Sequence, residues 1–356
     1  NTTGRNDVAG GNVDIETTVR NPSGGDSSGD ITINGIITTS GGTSTSGVGL
    51  QGGNVTLTGT GAGAVVTVSS SITTTGSAAA NGNSAGGAGG NVTINTNSDT
   101  EVITLGNLSI NTGGGDRAGS GNFGSGGNIV ISDALDLTSG AVTLKTTNDN
   151  DTSTGGNITL SSTVNGAQSL TLTYGGGTGT LSGIIGGNTP LGGLIVNGDA
   201  LTISNNITTN NATIDINSPV TLGANITISS GTGSGDIDFS STIDGTRELT
   251  LRSGTGAIKV QGAIGSSNTL TALAVNAVDG ENGTIELFNI GSSTSSAGVD
   301  TGAISIGNAN TGTLTLDGTI YTTQGTTIYE TATGNKILIT GASPTIGTLG
   351  GKNLTF

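Results

Sequence analysis

The sequence contains no cysteine, methionine, tryptophan or histidine, and only 2% of its residues are aromatic. Without cysteine, disulfide bonds and thiolate metal sites are excluded, and without histidine or cysteine the usual nucleophile–base pairs are excluded too. A wide globular core normally contains aromatic and long aliphatic side chains. Their scarcity indicates either a disordered chain or a thin repetitive structure whose core is only a few side chains across.

Basic residues are also few: nine Lys and Arg stand against 24 Asp and Glu, giving a net charge of −15. They are scattered from Arg5 to Lys352, so we expect neither nucleic acid nor an anionic membrane as a partner. No segment approaches the roughly 20 apolar residues of a membrane helix, and we expect no membrane insertion. The chain does not begin with Met, which predicts that Asn1 follows a processing site.

Glycine is abundant, with 68 residues, and it recurs in a short repeated phrase. In this phrase two small residues and an Asn or Asp precede an apolar-x-apolar triplet. Apolar residues at every second position are typical of a strand with one buried face, and glycine permits a tight turn. The phrase begins at residues 10–12, 28–30, 52–54, 89–91, 126–128, 155–157 and 234–236. The steps between copies cluster near one or two units of roughly 20 residues.

A longer repeat supports the same interpretation. Residues 156–197 align without a gap onto residues 235–276, at an offset of about 79 residues, close to four units of about 20. Ile158 then meets Ile237, and Leu172 meets Leu251. Disorder does not explain an apolar register that persists while the residues between diverge. The periodicity predicts an all-β protein, a right-handed parallel β-helix (β-solenoid) with roughly 20 residues per coil.

We predict one continuous solenoid over residues 1–356. Residues 1–155 form coils with Gly-rich insertions, 156–276 hold the two related blocks, and 277–356 add further coils. Segments 76–90 and 113–127 are too rich in small residues for core strands and predict flexible loops, and 148–154 predicts another loop. The strand-like pattern of residues 352–356 predicts an open C-terminal end.

The block at 156–197 (GNITLSSTVNGAQSLTLTYGGGTGTLSGIIGGNTPLGGLIVN) and its copy at 235–276 resemble a known family. They are similar to the β-strand repeats of filamentous-haemagglutinin-like and autotransporter-type bacterial surface proteins. The resemblance covers the middle and C-terminal parts best, and residues 1–150 share only the shorter phrase. It implies a right-handed parallel β-helix, secretion to the cell surface, and a role in adhesion or surface structure.

The first functional hypothesis is therefore a secreted, non-enzymatic segment of a large bacterial adhesin or fibre, in contact with cell-surface glycans or a host surface. The alternative is a subunit that stacks end to end with copies of itself into an extracellular filament. An uncapped solenoid exposes unpaired strand edges, which favours adding another unit. The sequence pattern does not separate these two hypotheses.

A less favoured hypothesis is an enzyme that acts on polysaccharide. Two carboxylates two residues apart on a strand point to the same face, and a local group of charged residues follows them. The residues concerned are Asp236, Asp238, Arg247, Glu248, Arg252 and Lys259. We favour a solvated strand face with some cross-strand pairing.

Calcium is the ion that fits a chain whose only good ligands are oxygens. The candidate ligands are Asp149 and Asp151, and Asp133 with Asp136 form a second acidic pair. Neither pair lies in an EF-hand loop or a Gly-Gly-x-Gly-x-Asp nonapeptide, so we favour ordinary turn aspartates. We expect no other cofactor.

Two further hypotheses concern the polar surface. Asn-x-Ser/Thr triplets predict glycosylation sites, although turn chemistry accounts for such asparagines equally well. Thr-x-Thr pairs are typical of ice-binding faces, but here they shift in position between repeats, so we favour ordinary exposed strand threonines. The triplets include those that begin at Asn54, Asn91, Asn107, Asn157, Asn206, Asn211, Asn225 and Asn282.

Overall fold

The computed structural model describes residues 1–17, 28–96, 101–293, 296–349 and 351–356. It confirms the predicted parallel β-solenoid: short strands stack in parallel register on the strands of the next coil. The chain divides into two compact units. Unit 1 comprises Asn1–Gly183 and Asn197–Ala200, and unit 2 comprises Ile184–Val196 and Leu201–Phe356. None of the described residues belongs to a helix long and apolar enough to cross a membrane.

Unit 1 is built from strands of two to five residues, followed by one longer strand. They are β1 (Val13–Glu16), β2 (Ile31–Ile33), β3 (Ile37–Thr38), β4 (Val55–Gly59), β5 (Val65–Val68), β6 (Ile72–Thr73), β7 (Val92–Thr96), β8 (Val102–Leu105), β9 (Leu108–Asn111), β10 (Ile129–Ile131), β11 (Ala134–Leu137), β12 (Val142–Lys145), β13 (Ile158–Leu160), β14 (Val164–Asn165) and β15 (Ser169–Leu181). A 3-10 turn, Thr152–Thr154, precedes β13.

Each coil of unit 1 contributes three strands, and equivalent strands pair in parallel from coil to coil. The first ladder runs β1–β4–β7–β10–β13 and ends on the last residues of β15. The second runs β2–β5–β8–β11–β14, and the third runs β3–β6–β9–β12 into the start of β15. Apolar residues of successive coils therefore stack inside, as in the column Leu57, Ile94, Ile131, Leu160 and Leu181, each at most 1% exposed.

The repeated phrase forms the corner at which each coil of unit 1 begins. The side-chain oxygen of its Asn accepts a hydrogen bond from the backbone N–H at the same position of the next coil, at 2.8–2.9 Å. Asn12 accepts from Asn54, Asn54 from Asn91, Asn91 from Asn128, Asn128 from Asn157, and Asn157 from Thr178. Each copy of the phrase thus forms a turn, and its Asn side chain also joins one coil to the next. We call this series of bonds the Asn ladder.

The bonds of this Asn ladder also measure the coils. Their partners lie 42, 37, 37, 29 and 21 residues apart along the chain. The longer steps are therefore single enlarged coils, whereas the spacing alone suggested two units of about 20. The copy at 28–30 does not begin a coil, because it precedes β2 in the coil that starts at Gly10.

A buried threonine closes the corner within each of these coils. Its hydroxyl donates to the carbonyl oxygen of the second glycine of the phrase. Thr39 donates to Gly53, Thr74 to Gly90, Thr112 to Gly127 and Thr146 to Gly156, all at 2.6–2.7 Å. These hydroxyls are almost completely buried, so each bond satisfies a donor that is removed from water.

The enlarged coils differ in the loops that follow these threonines, at 40–51, 75–88 and 113–125. No strand is assigned to them, but their backbones bond to one another across coils. Gly49 N–H donates to Ala85, Gly76 N–H to Gly113, and Gly115 N–H to Gly87, at 2.7–3.0 Å. No strand lies in the predicted loops 76–90 and 113–127, whereas the loop at 40–51 was not predicted. The glycines of these loops form a hydrogen-bonded stack that the composition did not reveal.

Unit 2 holds the remaining strands, apart from the residues of β16 that belong to unit 1. They are β16 (Gly193–Ile203), β17 (Ile207–Thr208), β18 (Ile214–Ile216), β19 (Val220–Leu222), β20 (Ile226–Ser229), β21 (Ile237–Phe239), β22 (Ile243–Asp244), β23 (Glu248–Arg252), β24 (Ile258–Val260), β25 (Ala272–Val275), β26 (Ile285–Leu287), β27 (Ile304–Ile306), β28 (Leu314–Leu316), β29 (Ile320–Thr323), β30 (Thr327–Tyr329), β31 (Ile337–Ile339), β32 (Thr345–Thr348) and β33 (Leu354–Thr355).

Unit 2 repeats the three-ladder plan with smaller turns. One ladder runs β16–β18–β21–β24–β26–β28–β31, and another runs β17–β20–β23–β25–β27–β30–β33. The third begins as β16–β19–β22 and continues through single bridges at Ile264 and Ile290 to β29 and β32. Cross-coil bonds at the turns of unit 2 join residues 21, 23 and 30 apart, so only the shorter of these coils come close to the predicted spacing of roughly 20.

The outer face of the first ladder in unit 1 carries a column in which four of five side chains are threonines. Thr56, Thr93, Val130, Thr159 and Thr180 occupy paired positions on successive coils. Two residues further along, Thr58 pairs with Asn95, so the Thr-x-Thr pairs themselves do not continue from coil to coil. The threonines of this column are in register.

Candidate functional site

The two candidate calcium ligands have separate partners. Asp149 is exposed and forms an ion pair with Lys145, at the end of β12. Asp151 caps the 3-10 turn, and its carboxylate accepts bonds from Ser153 N at 2.8 Å and Ser153 Oγ at 2.7 Å. These two bonds lower the pKa of Asp151 below its ordinary value. Among the described residues no group of three or more acidic side chains is arranged to hold a metal.

The second acidic pair is also separated. Asp133 is buried, and its carboxylate accepts a bond from the backbone N–H of Thr96 at 2.5 Å. Asp136 lies in β11, where it pairs with Thr104 on one side and Asn165 on the other. Asp133 therefore joins neighbouring coils, and Asp136 occupies an outer strand position.

Asp236 and Asp238 lie on the outer side of unit 2, since Ile237 and Phe239 are buried. Asp236 accepts a bond from the backbone N–H of Ala257 at 2.7 Å. Asp238 stands in a charged column between Asp215 and Lys259. Burial, with the nearby Asp236 and Asp215, raises the pKa of Asp238 above its ordinary value.

The charged residues that follow do not meet in one groove. Lys259 belongs to β24 and forms an ion pair of 2.9 Å with Glu286 of β26. Arg252 belongs to β23, which is in a different ladder. Arg247 donates from Nε to the carbonyl oxygen of Gly223 at 3.1 Å, and the backbone N–H of Glu248 donates to Asn225. The structure thus distributes this group over several faces of unit 2.

Most of the asparagines in Asn-x-Ser/Thr triplets are structural partners of the next coil. Asn54, Asn91 and Asn157 belong to the Asn ladder of unit 1. In unit 2 the side-chain oxygens of Asn206, Asn211 and Asn225 accept bonds from the backbone N–H groups of Thr227, Gly233 and Glu248 at 2.6–3.1 Å. Turn chemistry accounts for these asparagines.

A polar cavity with a volume of about 300 Å³ lies in unit 2 beside Arg252. We call it the Arg252 cavity. Arg252 donates from Nε to Glu281, whose side chain is only 7% exposed, while the Arg252 side chain is 41% exposed. A buried carboxylate of this kind fixes the guanidinium plane. The lining residues are Ser229, Gly231, Thr232, Arg252, Gly254, Asp279, Gly280 and Glu281.

The loop that carries Asp279 and Glu281 is held from the following coil. The buried side-chain nitrogen of Asn308 lies 2.7–3.0 Å from the carbonyl oxygens of Asn276, Val278 and Glu281. At the tip of the loop, Gly280 has a φ of 92°, which glycine adopts without strain. These contacts attach the loop that forms this cavity wall to the following coil.

Of the residues that build this cavity, the sequence patterns singled out only Arg252. The pair Asp279-Gly280 is a recognisable turn signal. Nothing in the sequence indicates that Glu281 turns inward to meet Arg252, 29 residues earlier, or that Asn308 supports the loop.

A second polar cavity, of about 240 Å³, lies in unit 1 over the Gly-rich loops. Its walls include Asp116, Asn148, Asp149 and Asn150. Asn148 donates to the carbonyl oxygen of Gly114 at 2.7 Å, and Asn150 donates to Asp116 at 2.9 Å. These groups join neighbouring loops, so the cavity follows from the loop stack.

In comparisons with protein-family models, curated proteins and solved structures, this chain has no match.

Proposed function

We propose that this chain is a non-enzymatic structural and adhesive β-solenoid that acts outside the cell, as a segment of a surface adhesin or fibre. The observation that carries the proposal is that the polar side chains either join neighbouring coils or form an uncharged outer surface. The Asn ladder and the buried threonines bind coil to coil and close corners. The outer positions of the first ladder from Asn54 onward are uncharged Asn, Thr, Ser and Val residues.

Such a surface suits repeated contacts with hydroxyl-rich material. Hydroxyl and amide groups both donate and accept hydrogen bonds, as sugar hydroxyls do. The low density of positive charge disfavours binding that depends on phosphate groups. The resemblance of residues 156–276 to the repeats of haemagglutinin-like surface proteins supports the same function.

Retention on glycan-coated beads tests the proposal. The 356-residue chain, labelled at its N-terminal amine, is passed over mucin-coated beads, periodate-oxidised mucin beads and albumin-coated beads. We expect retention on mucin that oxidation of the sugars abolishes. Equal retention on albumin would contradict adhesion, and release of reducing sugar from the mucin would contradict a non-enzymatic role.

A second candidate, self-assembly into a filament, is favoured by one surface of unit 2. Leu338 and Ile339 of β31 are 39% and 48% exposed. β31 pairs with β28 on one side, and no strand among the described residues pairs with its other side. An open parallel edge beside apolar side chains is a template for another coil. The occupant we assign to this edge is β1 of a second copy, in parallel register.

Sedimentation velocity over a concentration series distinguishes the two candidates. Self-assembly predicts species that grow with concentration and that Ile339→Lys removes, because a charge on an open edge opposes pairing. Lys substituted at Thr315, on the outer side of the neighbouring β28, serves as the matched control. A chain that stays monomeric at every concentration eliminates the filament candidate and leaves the adhesive one.

A further inference from the structure

We propose that the Arg252 cavity binds a neutral sugar residue of a glycan. The inference rests on the adhesive function proposed for the chain and gives that function a site. It is carried by a positioned donor, an acceptor that lines the same cavity, a size that suits one sugar ring, and a local charge balance that disfavours acidic ligands.

The donor is Arg252. Its Nε is occupied by the buried Glu281, and among the described residues its terminal nitrogens have no other side-chain partner. A guanidinium held by one edge presents its remaining N–H groups in a fixed plane. Two adjacent N–H groups match the spacing of vicinal hydroxyl oxygens on a sugar ring.

The acceptor is Asp279, at the exposed tip of the loop that Asn308 holds in place. Its carboxylate accepts hydrogen bonds only, so it complements the hydroxyl hydrogens that Arg252 leaves unused. Ser229 and Thr232 add hydroxyl groups to the wall. Gly231, Gly254 and Gly280 have no side chains, which lets a ligand approach the backbone closely.

Size and charge narrow the ligand class. A volume of about 300 Å³ is at the lower end for small-molecule sites and fits one sugar ring. Glu281 already balances the charge of Arg252, so Asp279 leaves the cavity negative overall. A uronate or sialate would meet this negative charge on a chain whose net charge is −15. A neutral, hydroxyl-bearing residue is the ligand that these groups accept.

The test is a ligand-observed NMR titration with four probes: methyl α-mannoside, methyl β-galactoside, methyl β-glucoside and methyl β-glucuronide. We expect at least one neutral glycoside to bind, and methyl β-glucuronide to bind more weakly than methyl β-glucoside. Asp279→Ala removes an exposed side chain at the loop tip, and Asp199→Ala removes an exposed carboxylate outside the cavity. Asp279→Ala should weaken binding about tenfold or more, because a hydrogen bond to a charged group is lost, while Asp199→Ala should not.

Three results would overturn the inference: no binding of any neutral glycoside, equal binding by the chain and Asp279→Ala, or a preference for the glucuronide. Arg252→Lys keeps a positive charge beside Glu281 but loses the planar pair of donors, so it should bind more weakly while its amide spectrum stays folded. Mucin beads separate the two proposals. Retention that Asp279→Ala leaves unchanged rejects the cavity and keeps adhesion, whereas a chain that mucin does not retain rejects adhesion itself.

Discussion

Thr112 shows how much of a coil depends on one hydroxyl group. This hydroxyl is buried and lies 2.6 Å from the carbonyl oxygen of Gly127. Thr112→Val keeps the shape but leaves that carbonyl without its side-chain donor, which costs about 1–3 kcal/mol of unfolding free energy. Thr93→Val makes the same exchange on the outer face and should change stability by less than about 0.5 kcal/mol. Denaturant titration of both variants measures the difference, and equal losses would show that the corner bond is not stabilising.

Asp238 gives stability a pH dependence. Its pKa is raised in the folded state by burial and by Asp236 and Asp215, so the unfolded chain loses this proton first as the pH rises. The contribution of Asp238 to the free energy of unfolding therefore decreases as the pH rises from the ordinary pKa of 3.8 to the folded-state pKa. Above the folded-state pKa the contribution stays low.

Asp238→Asn should therefore stabilise the protein at neutral pH, by less than about 1 kcal/mol because the side chain is partly screened by solvent. Below the ordinary pKa the gain should vanish. Thermal unfolding at neutral and acidic pH checks this, with Asp199→Asn as the exposed control. A gain that is the same at both pH values would contradict the assigned cause.

At the residue scale, the sequence predicted which side of a strand a side chain faces better than it predicted which residue that side chain contacts. The alternation around Ile237 was sufficient to place Asp236 and Asp238 on the outer side, because a strand has a period of two. It was not sufficient to pair Arg252 with Glu281, because that contact depends on the path of a loop between two coils. Of the residues that line the Arg252 cavity, the sequence therefore indicated only Arg252 as a candidate.

The Gly-rich loops of unit 1 are elements whose sequence is fixed by close backbone packing. A Cβ on Gly115 would lie 1.8 Å from the carbonyl oxygen of Ser77, and one on Gly124 would lie 1.9 Å from that of Gly87. A methyl group at either position must displace a neighbouring loop. A Cβ on Gly47, in the first loop, would have no neighbouring atom within 4 Å.

Gly115→Ala should therefore destabilise the loop stack by about 1–3 kcal/mol, the usual cost of overpacking. Gly47→Ala should have little effect. Hydrogen exchange at the amides of Gly76 and Gly115 measures the change directly, since each donates to a carbonyl oxygen in the loop of the neighbouring coil. Unchanged exchange in Gly115→Ala would mean that the loops move apart at no cost.

The strands were predictable, and the coil lengths were not. An apolar-x-apolar triplet after a tight turn marks a strand whichever coil it belongs to. The number of residues between equivalent strands is free, because a loop of any length can return to the same corner. A step of 37 residues in unit 1 therefore looked like two coils, and only the pairing of Val55 with Val92 shows that it is one.

At the scale of the whole molecule, each coil is stabilised mainly by its two neighbours. Ile237→Asp places a charge among the buried residues between Ile214 and Ile258 and should cost about 3–5 kcal/mol. Because a solenoid is coupled by nearest neighbours, protection of amides in β18 and β24 should fall, while protection in β28 should persist.

Hydrogen exchange read by mass spectrometry checks this, with Thr250→Asp on an outer strand position as the control. Loss of protection throughout unit 2 would show that the unit unfolds as a whole.

The stacked loops at 40–51, 75–88 and 113–125 also constrain how this chain can change over evolutionary time. The register of paired strands does not depend on loop length. An isolated insertion at an exposed loop tip should therefore be tolerated. A deletion that removes the bonded base of one loop, such as Gly76 or Gly115, withdraws partners from the loops on either side. Deletions of this kind should therefore occur in adjacent coils of the same homologue. Within one homologue, the lengths of neighbouring loops should differ by a few residues and seldom by many.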